Sequence, residues 1–215
     1  MKTISITPKS KCIKPIEGKD NWYICGPLPC TEPTNYTFAG GMNILIPKGQ
    51  NFETNGGDLT VYGSIQIDGG HCSTDGGGIF VYNGNIDLDR ACIDTYGGPI
   101  NVYGGGIRTR GGNIWTRRAI AAWTPGGPIN VYGGGIDTGG GDIATGGGPI
   151  NVYGSRVWMG GGSIKTLGGP VFMYGSDLYM GGGKLCTQGG DVNMGSSKLE
   201  MHGGGKGLGD GKIIW

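Results

Sequence analysis

From residue 56 onward the chain repeats one short pattern: two glycines, a variable residue, an apolar residue, another variable residue, then a second apolar residue or Thr. Residues 126–146 carry it three times without a break, as GGPINVY, GGGIDTG and GGDIATG. Positions four and six of each heptad share a parity, so on an extended strand both point to one face and position five to the other. The glycine pair supplies a corner, where positive φ or close backbone approach is needed. Each heptad therefore predicts one short strand and one turn. The inward pairs form three series. The first is Leu59/Val61, Ile79/Val81, Ile100/Val102, Ile129/Val131, Ile150/Val152 and Val171/Met173. The second is Ile86/Leu88, Ile107/Thr109, Ile136/Thr138, Val157/Met159, Leu178/Met180 and Leu199/Met201. The third is Cys72/Thr74, Ile93/Thr95, Ile114/Thr116, Ile143/Thr145, Ile164/Thr166 and Leu185/Thr187.

Three heptads make one larger unit. GGPINVY recurs at 97–103, 126–132 and 147–153, with relatives at 56–62, 76–82, 168–174 and 189–195. The tyrosines that mark it, Tyr62, Tyr82, Tyr103, Tyr132, Tyr153 and Tyr174, are spaced 20, 21, 29, 21 and 21 residues apart. A period of 21 in three sevens predicts an all-β, single-chain parallel β-helix: a triangular β-solenoid of 21 residues per rung with three seven-residue faces. About seven rungs, stacked ~4.8 Å apart, are expected. A right-handed coil is expected from the usual hand of parallel crossovers. An intertwined trimer fits less well, because GGPINVY returns only at every third heptad. A polyglycine-II bundle needs Gly at every third position, which the Ile-x-Val pairs break. Left-handed hexapeptide solenoids use six residues per face.

Composition divides the chain. Gly makes up 51 of 215 residues, and all but Gly18 and Gly26 lie beyond residue 39. Residues 1–39 read as an irregular N-terminal cap or partner-contact segment, and residues 40–215 as the Gly-rich solenoid. An eight-residue insertion at 118–125, RAIAAWTP, reads as a loop at a corner. Cys12, Cys25 and Cys30 cluster in the first segment, and their spacing fits free or bridged structural thiols better than a metal site. The net charge of +1 gives no reason to expect a nucleic-acid partner. No apolar stretch approaches the ~18 residues of a membrane helix, so no membrane insertion is expected. The N-terminus, MKTISITPKSKC, has no apolar signal region. A virion or an extracellular assembly suits such a chain better than free cytoplasm.

The GG-x-[IV] heptads at a 21-residue period resemble short-rung parallel β-helix structural proteins. These include bactofilin-type polymers and the β-helical heads of adhesins, phage tail proteins and giant-virus structural proteins. The resemblance covers residues 40–215 and is one of architecture. It implies scaffolding, polymerisation or surface attachment, and carries over no catalytic residue.

Several columns invite a role. Thr74, Thr95, Thr116, Thr145, Thr166 and Thr187, with Thr54 before them, form a Thr column. A ladder of hydroxyls facing water would suit ice binding, but the column shares its parity with the inward Ile, so it is expected to be buried. The Tyr column and the residues Asn101, Asn130 and Asn151, with Asn193, are expected as outward stacking ladders. Arg108, Arg110, Trp115, Arg117, Arg118 and Trp123 near the insertion, with Trp158 and Tyr179, are the candidate partner surface, because exposed Trp, Tyr and Arg are enriched in contact hot spots. The outward carboxylates Asp87, Asp94, Asp137 and Glu200 read as scattered, none of them one rung from another on the same column with a basic partner. His71 and His202 are the only histidines, and no nucleophile–base arrangement is legible. No enzyme activity, cofactor or metal is expected. The expected function is a structural building block of a virion, filament or surface appendage, with itself or other structural subunits as partner. The alternative is a receptor- or glycan-binding adhesin tip, and the third is an ice-binding protein.

Overall fold

A computed structural model describes residues 2–6, 13–15, 21–24, 33–38, 41–116, 126–154 and 156–215. Every regular element among them is a β-strand. The strands form three sheets of ten, ten and eight strands, and within each sheet a strand pairs with the one a rung away. All pairings are parallel except that of Ile13–Pro15 with Asn21–Ile24. The chain visits the sheets in strict rotation from Thr34 onward, giving eight complete rungs of a three-faced β-solenoid.

That is one rung more than the glycine pattern predicts. The extra rung comprises Thr34–Phe38, Asn43–Ile46 and Asn51–Glu53. Only its second strand follows a Gly pair, Gly40–Gly41, but all three keep the alternation: Tyr36, Phe38, Ile44, Ile46 and Phe52 are all buried. Further back, Lys2–Ile6 pairs in parallel with Thr34–Phe38, and Asn21–Ile24 with Asn43–Ile46. The segment expected as a cap thus supplies strands to two sheets. The insertion 118–125 and Cys12, Cys25 and Cys30 lie outside the described residues.

The register puts like on like. Ile100 sits beside Ile129 and Ile129 beside Ile150 on the first face, and Ile114, Ile143 and Ile164 follow one another on the third. The inward pairs are buried, and each such side chain contributes roughly 1.5–3 kcal/mol of apolar burial. Leu199 and Met201 are the exception. They lie on the last rung, with a rung on one side only, and Met201 is 39% exposed.

The corner between the third and first faces explains the Thr column. At Thr95–Gly98, Tyr96 and Gly97 have φ of 48° and 114°, the two positive values of a type I′ turn. Gly98 N–H donates to Thr95 O at 3.2 Å, and Thr95 Oγ1 donates to Gly98 O at 2.6 Å. The same hydroxyl clasp recurs from Thr54, Thr74, Thr145 and Thr166 to Gly57, Gly77, Gly148 and Gly169. Thr116 makes it to Gly127 at 2.6 Å, so the rung closes across the insertion. Thr187, the last of the column, donates instead to Leu208 O at 3.2 Å, and all seven Thr side chains are fully buried. They present no hydroxyl to water, and the ice-binding reading loses the column on which it rested.

A second device was not legible in the sequence. Asn, Asp and Ser side chains at the corners accept the backbone N–H of the next rung: Asn35 from Asp58, Asp58 from Gly78, Asn113 from Asp142, and Asp142 from Ser163. Burial alone would raise the Asp142 carboxyl. The bonds from Lys165 Nζ at 2.7 Å and Ser163 N–H at 2.9 Å outweigh it and hold the group below its ordinary value.

Two inward Thr residues occupy apolar positions on the second face. Thr109 Oγ1 donates to Thr138 O at 3.1 Å, but Thr138 Oγ1 is buried without a partner. Thr138→Val keeps the shape and removes the stranded hydroxyl, so it is expected to raise stability by about 1 kcal/mol. Thr109→Val loses a bond and is expected to lower it by a similar amount. Thermal melts of the two variants check the pair.

Candidate functional site

The rungs stack into a prism whose three outer faces differ sharply. The first face carries the Tyr and Asn columns. Ring centroids from Tyr62 to Tyr174 are 5.1, 4.9, 5.0, 4.9 and 5.0 Å apart, and the four later pairs are within 9° of parallel. The rings face one another along the axis, so solvent meets their edges and hydroxyls. Burial first, then the neighbouring Tyr103 and Tyr62 phenols, pushes the Tyr82 phenol above its ordinary value. Beside the tyrosines, Asn151 Nδ2 donates to Asn130 Oδ1 at 2.6 Å, and Asn130 Nδ2 to Asn101 Oδ1 at 2.8 Å. Asn193 does not join this ladder. Phe172 stands between it and Asn151, and its Oδ1 accepts from Gly195 N–H instead. From Ile79–Tyr82 to Val171–Tyr174 the outward positions are Gly78, Phe80 and Tyr82, then Pro99, Asn101 and Tyr103, and so on to Pro170, Phe172 and Tyr174. None of them is ionised.

The second face is charged and aromatic. Its outward column runs Gln66, Asp87, Arg108, Asp137, Trp158, Tyr179 and Glu200, one residue per rung. Asp87 and Asp137 share this column two rungs apart, with Arg108 between them and one rung from each. Arg108 Nη1 is 3.7 Å from Asp87 Oδ1, an ion pair without a hydrogen bond. Trp158 is 56% exposed, and Tyr179 stacks on it at 6.2 Å. Arg110 lies at the edge of this face and shares a hollow with Gln66, Asp68, Asp87 and Asp89.

Trp115 is not part of this group. It lies on the third face, between Asp94 and Ala144. Arg117, Arg118 and Trp123 lie outside the described residues. His71 is on the third face beside Cys92, and His202 is on the second, its Nε2 3.7 Å from Glu200 Oε2. Among the described residues no three His, Cys, Asp or Glu side chains converge to hold a metal. Burial pushes the Cys72 thiol up to about 12, which keeps it protonated and unreactive. No helix of the described residues is long and apolar enough to cross a membrane.

These features define the class of protein, a three-faced parallel β-solenoid with one uncharged face and one charged, aromatic face. No known protein family, curated protein or solved structure matches the chain.

Proposed function

We propose that the protein is a non-enzymatic structural building block, and that its first face packs against the same face of a second copy. The observation that carries this reading is the uncharged surface from Ile79–Tyr82 to Val171–Tyr174, built of Tyr, Phe, Pro and hydrogen-bonded Asn. Aromatic enrichment with depletion of charge marks the core of a protein interface. Among the described residues of this face, ionised ones return only at the ends, Asp58 at one and Asp191 and Lys212 at the other, as a polar rim does. From Thr34–Phe38 to Ile213–Ile214 the face measures roughly 40 by 15 Å, which approaches the ~800 Å² per partner of a stable interface. A virion, a filament or a surface appendage is the kind of assembly such a unit suits.

Sedimentation at micromolar concentration tests this. The wild-type chain is expected to form a dimer or larger species, and Phe172→Arg, which puts a charge in the middle of the uncharged surface, is expected to yield a monomer with unchanged β-sheet circular dichroism. A wild-type monomer at every concentration sinks the reading.

A further inference from the structure

The corner between the first and second faces contains a notch. One position per rung points outward there: Ser64, Asn85, Gly106, Gly135, Arg156, Asp177 and Lys198, each preceding a strand residue held in register. At most rungs this position bonds to the next. Asn43 Oδ1 accepts Ser64 N–H at 2.7 Å, Ser64 Oγ accepts Asn85 N–H at 3.0 Å, Asn85 Oδ1 accepts Gly106 N–H at 2.8 Å, and Asp177 Oδ1 accepts Lys198 N–H at 3.0 Å. Three consecutive rungs break the series, Gly106 and Gly135 because they have no side chain and Arg156 because a guanidinium accepts no hydrogen bond. Gly106 has no side chain to offer Gly135 N–H, and Gly135 has none to offer Arg156 N–H. Gly135 and Arg156 both line a hollow of about 380 Å³, together with Asn85, Arg108, Asp137 and Trp158.

The walls carry matching chemistry. The only ionic partner of Arg108 among the described residues is Asp87, at 3.7 Å, so its guanidinium donors are uncommitted. Arg156 is exposed and has no ion pair among the described residues. Two backbone N–H groups flanked by two guanidinium groups form an oxygen-anion site, since charge-assisted bonds to a carboxylate are the strong ones. Tyr179 stacks on Trp158 from one side, while the rung on its other side carries only the short Asp137. That leaves an aromatic surface at the edge of the hollow for the C–H face of a sugar ring, with Asp137 placed to accept from sugar hydroxyls.

We propose that this notch binds an acidic sugar of the hexuronate type. Its carboxylate takes the place of the missing Asn side chain, on the Gly135 and Arg156 N–H groups between Arg108 and Arg156, and its ring lies against Trp158. This proposal is independent of self-packing through the first face.

Titration calorimetry on the full chain tests it with three probes: a hexuronic acid tetramer, the corresponding neutral hexose tetramer, and inorganic phosphate. The uronate tetramer is expected to bind at least about tenfold more tightly than the neutral tetramer, with Arg156→Gln and Trp158→Ala each weakening it by about tenfold. Lys184→Gln, on the third face, is expected to leave it unchanged. Circular dichroism confirms that each variant keeps its fold. Absence of uronate binding, or equal binding of the neutral tetramer, overturns the proposal. So does uronate binding that phosphate matches and that Trp158→Ala leaves intact, which would show an anion site without a sugar subsite.

Discussion

Ile143→Asp is expected to leave the chain without a cooperative melting transition. Ile143 is fully buried on the third face, with Ile114 on the rung before it and Ile164 on the rung after. Losing the apolar side chain costs about 2–5 kcal/mol, and burying an unpartnered carboxyl costs at least ~1–3 kcal/mol more even when protonated. The total is comparable to the 5–15 kcal/mol stability of a whole domain. A solenoid has little to redistribute such a loss, because each rung is stabilised only by its neighbours, and this rung lies in the middle of the stack. Asn130→Asp is the matched outward change. It gives up the bond donated to Asn101 and keeps the one accepted from Asn151, on a half-buried surface, so about 1 kcal/mol is expected. Urea denaturation of both variants checks the contrast. A well-folded Ile143→Asp beside an unfolded Asn130→Asp would mean that the inward and outward positions are exchanged.

Gly98→Ala is expected to be nearly as damaging, although it adds a single methyl group. A Cβ at Gly98 would sit 1.8 Å from Gly77 O on the preceding rung. That carbonyl is backbone, so it cannot turn aside as a side chain can. The rungs would have to part at the Thr clasp, at a cost of at least ~3 kcal/mol. Gly161→Ala is the control. A Cβ there meets nothing closer than 3.9 Å and φ is not positive, so stability is expected to change by less than ~0.5 kcal/mol. If thermal melts show the two substitutions to be equal, the glycines serve composition rather than contact between rungs.

That contrast also shows how the site relates to the pattern. The inward Ile, Val and Leu and the Tyr column were legible because each recurs at the same place in every heptad or every third heptad. The rung at residues 34–53 was not, because only one of its corners, at Gly40–Gly41, carries a Gly pair. The charged column of the second face was hidden for a related reason: Asp87, Arg108, Asp137, Trp158 and Tyr179 share a position but not a residue type. Thr138 looked interchangeable with Thr109, and only the third dimension shows that one hydroxyl is bonded and the other is not.

By itself the sequence determined the period, the three faces and the inward parity. These follow from local rules, the alternation of a strand and the demand of a corner for Gly, which act over seven residues. Tertiary structure alone decided what the outer faces mean. Stacking sets residues 20 to 29 positions apart side by side, and whether two of them attract, stack or leave a gap depends on their side chains rather than on the repeat. The notch at Gly106 and Gly135 is the clearest case. In the sequence these are two more glycines among 51, and in the stack they are two adjacent rungs at which a column of outward side chains is interrupted.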